Sequence, residues 1–130
     1  MKRKYILAVF LAIAFVSMAA WEIYVDFFAS RAAIVIITIY QLDKLAHLAG
    51  GAFIAGFVLL ILDQSRARTI LLATVIGALL WEAFELVLDP KVIYFFEKER
   101  SLWLQDSLGD LAAGLLGAVL FFVLWRRMLS

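Results

Sequence analysis

Four apolar runs separated by short charged stretches organise this chain, and each approaches the roughly 20 residues an α-helix needs to cross a bilayer. The first, Tyr5 to Trp21, follows Met1-Lys2-Arg3-Lys4. The second runs from about Asp43 to Leu62 and stops at Asp63-Gln64-Ser65-Arg66-Ala67-Arg68, a polar cluster that predicts a tight turn with Ser65 or Thr69 capping the next helix. The third, from near Thr69 to Leu88, ends at Asp89-Pro90, because proline cannot continue the hydrogen-bond ladder and disfavours helical geometry in the residue before it. The fourth covers about Leu102 to Leu124 and closes on Trp125-Arg126-Arg127.

The intervening stretches are less regular. Glu22 to Arg31 mixes aromatic and charged residues, and Ala32 to Tyr40 is apolar but too short to cross alone, so an interfacial or re-entrant piece is expected before the second span. Lys91 to Arg100 reads as a charged loop with Ile93-Tyr94-Phe95-Phe96 dipping toward the interface. Trp21, Trp103 and Trp125 fall at span ends, where an interfacial aromatic belt would put them. The first run also has the outline of a signal peptide, with a basic start and the small residues Ser17 and Ala19 before a cleavage point. A retained helix is the expectation, since the rest of the chain is equally suited to a membrane. The pattern therefore predicts an all-α, polytopic membrane helix bundle of about four transmembrane helices, forming a single domain over residues 1–130.

Composition agrees with the pattern. Of 130 residues, 66% are hydrophobic and 18% charged, with a mean hydropathy of +1.01, against roughly 45–50% apolar residues in a soluble domain. No room remains for a soluble enzyme module. Cysteine is absent, which removes disulfides, thiolate metal sites and cysteine nucleophiles. A net charge of +1 does not suggest nucleic-acid binding. The placement of basic residues matters more. Lys2, Arg3, Lys4, Arg66, Arg68, Arg126 and Arg127 fall on one side of the spans, whereas Arg31, Lys91, Lys98 and Arg100 on the other are diluted by Glu22, Asp26, Glu97 and Glu99. The positive-inside rule then puts both termini and the turn between spans two and three in the cytoplasm of a multi-pass plasma-membrane protein.

Seven ionisable residues interrupt or edge the last three runs: Asp43, Lys44, His47, Glu82, Glu85, Asp106 and Asp110. A charge at the bilayer centre costs about 2.5 kcal/mol or more, so such residues face a bundle interior or a watery cavity and carry function. With this topology all seven lie in the outer half. At 1.5 Å per residue, His47, Glu82 and Asp110 sit about 6–10 Å below their helix ends. Asp43 and His47, Glu82 and Glu85, and Asp106 and Asp110 are spaced by four, three and four, which puts each pair on one helix face. Three polar faces turned inward make a shared pocket open to the outer side. Gly50, Gly51, Gly56, Gly77, Gly109, Gly114 and Gly117 fit close helix approach, and the run Ala113 to Ala118 reads as a helix contact rather than a ligand site.

The chemistry of that pocket has several readings. One histidine with five carboxylates suits zinc or manganese, an all-oxygen calcium or magnesium site is equally compatible, and no His-Glu-x-x-His motif is present. The cofactor is left open, with a divalent metal as the candidate. Close carboxylates in low dielectric also push their pKa values apart, so that one holds a proton, and His47 could act as a base with Asp43 or a facing carboxylate fixing its tautomer. The plain alternative is a paired histidine that ties two helices. Lys44 either snorkels to the headgroups or neutralises the acidic pocket. Arg100 is either a solvated charge or a phosphate contact at the mouth.

Taken in order, Asp43-Lys44-Leu45-Ala46-His47, then Trp81-Glu82-x-x-Glu85, then Arg100-x5-Asp106-x3-Asp110-x3-Gly114 resembles the VanZ-like family of small membrane proteins, over about residues 41–118. Asp43, Lys44, His47, Glu82, Arg100 and Asp106 are the matched positions. Glu85 and Asp110 stand where the family carries Gln and Asn, which makes the pocket more acidic. The resemblance implies a cell-envelope protein, with a link through the family's namesake to resistance to the glycopeptide teicoplanin.

The expected function is an outward-facing acidic pocket that engages a membrane lipid, amphiphile or lipid-linked envelope precursor, in a chain that could also form a homo-oligomer. His47, Glu82 and Asp106 are the candidate catalytic residues, and Asp43, Lys44, Glu85, Arg100 and Asp110 the candidate ligand-binding ones. The alternatives are a small ion or proton-coupled transporter and a non-catalytic structural or partner-binding subunit. Against the transporter, the stretches Phe53 to Leu62 and Thr69 to Leu80 offer only Thr69 and Thr74 as polar groups.

Overall fold

A computed structural model of the chain describes residues 2–24, 42–62, 66–88 and 90–129. Among the described residues there are five helices and no strand: α1 (Lys2–Ile23), α2 (Asp43–Leu62), α3 (Ala67–Leu88), α4 (Pro90–Lys98) and α5 (Arg100–Leu129). All but α4 are long and apolar enough to cross a membrane. The expected interfacial piece at 32–40, the Ser65 cap and Asp89 lie outside the described residues.

Local boundaries follow backbone hydrogen bonding. The bounds of α2 coincide with the apolar run that predicts it, and Asp43 in its first turn complements the positive end of the helix dipole. Thr69 is not a cap. The carbonyl of Arg66 accepts from the amides of Thr69 and Ile70 at 2.9 and 3.3 Å, so α3 begins two residues earlier than Thr69. At the start of α5 the Glu99 carbonyl plays the same part, accepting from Leu102 and Trp103 at 2.9 and 3.2 Å.

The segment expected as a charged loop is a nine-residue helix, α4. Pro90 ends one helix and opens the next, because the first position of a helix needs no amide donor and favours the fixed φ of proline. Its side chains segregate: Val92, Ile93 and Phe96 are half-buried, while Tyr94, Glu97 and Lys98 are exposed. Phe96 meets Trp103 edge-on with ring centroids 5.1 Å apart, and the Arg100 guanidinium lies 5.2 Å from the Phe96 centroid. These contacts fold α4 against the start of α5.

The closest helix pair is α2 with α5. Gly51 lies directly on the backbone of Gly114, and Gly117 on the backbone of Leu48, so close that a Cβ at either glycine would collide with main-chain atoms. Small residues allow such an approach where lipid supplies no hydrophobic drive between helices. The run Ala113 to Ala118 is thus a helix contact, as its composition predicts. Below it, Ala55, Ile70 and Ala118 form a small buried core flanked by Val58, Leu59, Phe121 and Phe122. Helix α1, with Leu7 and Leu11 buried, packs on α2, where Leu11 meets Gly56, and touches α5 through Phe10 stacked on Phe121 at 5.3 Å.

Large apolar side chains cover much of the outside, among them Ile6, Ile13, Leu72, Leu80, Leu116 and Leu124. A soluble monomer rarely exposes so much contiguous apolar surface. A lipid environment gives those side chains a solvent.

Candidate functional site

The site begins at the first turn of α2, where Lys44 projects across to α5. Its Nζ donates to Asp106 Oδ1 and Asp110 Oδ1, both at 2.6 Å, and to Asp43 Oδ2 and the Asp106 carbonyl, both at 3.3 Å. Asp106 and Asp110 are one helical turn apart, so both reach the same ammonium from one face of α5. Gly109 lies between them and keeps that face low. A Cβ there would stand 3.1 Å from Lys44 Cε. Three carboxylates lie within reach of its amine, contacts that match the reading in which Lys44 neutralises the acidic pocket.

One turn further along α2, His47 Nε2 lies 3.3 Å from Asp110 Oδ1, the same oxygen that accepts from Lys44. Both side chains are largely buried, with 15% and 7% of their surface exposed. On the other side of His47 stand Glu82 and Glu85, one turn apart on α3, and Ser107 Oγ of α5 donates to Glu82 Oε2 at 2.5 Å.

The seven ionisable residues therefore converge as two adjacent groups. In one, Asp43, Asp106 and Asp110 can each bring an oxygen within 4.8 Å of the others; in the other, His47, Glu82 and Glu85 do the same with a nitrogen and two oxygens. The His47–Asp110 approach joins the groups. Arg100 is not among them, being exposed and stacked over Phe96.

A cavity of about 470 Å³ opens beside His47, between α1, α2, α3 and α5. Its walls are mainly apolar, with Phe15 and Met18 from α1, Ile54 from α2, and Ala78 and Trp81 from α3, and its polar end holds His47 and Asp110. Gly50, Gly51, Gly77 and Gly114 help make the space by offering no side chain. Such a shape, apolar with few convergent polar groups, is common among ligand pockets.

Two features were not legible from the charge pattern. Ser107 is one, although its position three residues before Asp110 puts it on the same helix face and could have drawn notice. The cavity is the other, since it depends on how four helices are rotated. No family model, no curated protein and no solved structure matches this chain.

Proposed function

We propose that this chain is a VanZ-like integral membrane protein of the cell envelope, and that its acidic pocket binds an amphiphile. The ligand class is a membrane lipid or lipid-linked envelope precursor, with its alkyl chain in the cavity and its head against His47 and the neighbouring carboxylates. The observation that carries this reading is the cavity itself, an apolar chamber whose polar end is His47 and Asp110. The order of the Asp-Lys-x-x-His, Trp-Glu and Arg-x5-Asp motifs supports the family, and with it the link to teicoplanin resistance. The distribution of Lys and Arg supports an orientation with both termini in the cytoplasm and the pocket facing outward.

In this reading His47 and Glu82 exchange protons with a bound head, as neighbouring groups in a low-dielectric site can. Asp106 and Lys44 hold the rim, and Asp110 orients His47. The test is photo-crosslinking of the protein in lipid nanodiscs with a lipid carrying a diazirine in its alkyl chain. Saturable labelling at Met18, Ile54 and Ala78 is expected, lost in Ala78→Phe, which fills the chamber. Labelling confined to outward faces, equal in both proteins, would reject the reading.

A second reading, a non-catalytic membrane subunit, is favoured by one observation: three contacts of Lys44, with Asp106 and Asp110, tie α2 to α5. It expects Lys44 variants to lose stability while alkyl-chain labelling is absent from wild type and variant alike. Ion relay draws no support from the described inner half. Thr74, fully buried, donates its hydroxyl to the Ile70 carbonyl at 2.9 Å, a bond internal to α3.

A further inference from the structure

Resting on the amphiphile reading above, we propose that the cavity opens sideways into the membrane between α1 and α3 and admits one acyl chain of a lipid from the surrounding bilayer. The source of the ligand is then the membrane itself, and Phe15 and Trp81 flank its way in.

Exposure marks the opening. Among the described residues that line the cavity, two are exposed, Phe15 of α1 at 59% and Trp81 of α3 at 38%, and the rest are half-buried or buried. Helix packing agrees with that position. Helix α2 packs on α1, α3 and α5, and α3 packs on α5, whereas α1 and α3 are not a packed pair among the described residues. Helix α2 therefore backs a cleft whose sides are α1 and α3. On one side Met18 Cε lies 3.4 Å from where a Cβ of Gly50 would stand, and on the other the Ile54 side chain leans on Gly77. Gly50 and Ile54 are four residues apart, so one face of α2 forms the floor of the cleft. A second ring stands beside each flanking residue, Phe53 with its centroid 6.0 Å from Phe15 and Phe84 with its centroid 5.6 Å from Trp81.

The polar end is more tightly drawn together. Lys44 joins α2 to Asp106 and Asp110 of α5, and Ser107 of α5 donates to Glu82 of α3. Beside these contacts His47 and Asp110 are largely buried. The depth of the side opening suits acyl chains. Trp81 stands seven residues before the end of α3 and Phe15 eight before the end of α1, which is about 10–12 Å along each helix. In a hydrocarbon core roughly 30 Å thick, that level is occupied by chains and not by heads.

Physical chemistry then selects the occupant. Water does not settle in an apolar chamber, and wall atoms that face a void forfeit their dispersion contacts. Lipid chains at the mouth are as apolar as the walls and restore those contacts on entering. Volume limits how much enters. At about 30 Å³ per methylene, close to the share of a water molecule in the liquid, a cavity of about 470 Å³ holds on the order of 16 methylenes. That is one chain. The other chain of a two-chain lipid stays in the bilayer, which an opening on the side permits.

The experiment closes the opening and follows entry of a two-chain phosphatidylcholine that carries a diazirine in one acyl chain. Phe15→Cys and Trp81→Cys are introduced together, in a chain with no other cysteine, and bridged with bis-maleimides of graded length before the lipid is added to the nanodiscs. Without the bridge, saturable labelling of Met18 and Ile54 is expected. With it, that labelling should be lost, while labelling of the outward-facing Leu72 and Leu80 persists. Each single variant carrying a monofunctional maleimide should still be labelled in the chamber. Ala19→Cys with Ala78→Cys, smaller replacements on the same two helices, repeats the test should the aromatic pair fail to fold. Chamber labelling that survives bridging overturns the side entry, as does an equal loss in the singly modified proteins. Failure of both pairs to bridge at any length overturns it too, since the residues would not face each other across one opening. In those outcomes the amphiphile reading stands. Absence of chamber labelling in the wild type removes both.

Discussion

Lys44 Nζ and Asp110 Oδ1 meet at 2.6 Å across 66 residues of sequence, joining the first turn of α2 to the interior of α5. Asp110 is 7% exposed on its side chain and Lys44 18%, whereas Asp106, the other close partner at the same distance, is 58% exposed. Two ion pairs of equal length therefore differ in environment. The protein encloses one carboxylate and leaves the other open to its surroundings.

That difference predicts unequal costs. Lys44→Met, which leaves three carboxylates around an empty centre, should destabilise the fold by about 3–5 kcal/mol. Asp106→Asn should cost about 0–1 kcal/mol, as exposed pairs do. Thermal unfolding in a fixed detergent, followed by far-ultraviolet circular dichroism, gives the order. Equal losses for the two variants would mean that burial does not set the strength of these pairs.

Two glycines should respond differently to the same added methyl group. Gly51→Ala drives a Cβ into the backbone of Gly114, which cannot move without separating α2 from α5. Gly109→Ala meets only the flexible stem of Lys44. We expect a cost of at least about 1–3 kcal/mol for the first, the range of overpacked cores, and clearly less for the second. Thermal melts of the two variants in parallel decide this.

Ser107→Ala removes the hydroxyl that holds Glu82 and leaves a half-buried carboxylate with one partner fewer. Hydrogen bonds to charged groups contribute about 1.5–3 kcal/mol, so a measurable drop in melting temperature should follow. Ser107→Thr, which keeps the hydroxyl, should recover most of it. Loss in both variants would point to packing at this position rather than to the bond.

The proposed orientation is open to direct labelling, because the chain contains no cysteine of its own. Ser101→Cys, at the start of α5, should react with a membrane-impermeant maleimide added to intact cells. Met128→Cys, at its far end, should react only after the membrane is opened. The opposite pattern would invert the topology and turn the pocket to the cytoplasm.

Much of this protein was legible in the sequence because the relevant physics is local. Apolar run length sets the four long helices, and α2 spans Asp43–Leu62, the run that predicts it. Spacings of three and four put Glu82 with Glu85 and Asp106 with Asp110 on shared faces whatever the rest of the chain does. Pro90 was legible as an end to α3 but hid the start of α4, since the residue that breaks one helix is well suited to begin another.

What the sequence could not decide is which carboxylates Lys44 joins, which remain with His47, and where space is left between them. An amphipathic helix announces its buried face along its whole length, but the apolar residues of α2 and α5 are not gathered on one side, so the hydrophobic pattern does not fix their rotation about their own axes. That rotation is set by contacts that exist only once the helices meet: Gly51 on Gly114, Gly117 on Leu48, and Lys44 between Asp106 and Asp110. The helices and their charges belong to the sequence; the division of those charges into an ammonium's cage and a histidine–carboxylate triad beside an apolar cavity belongs to the packing.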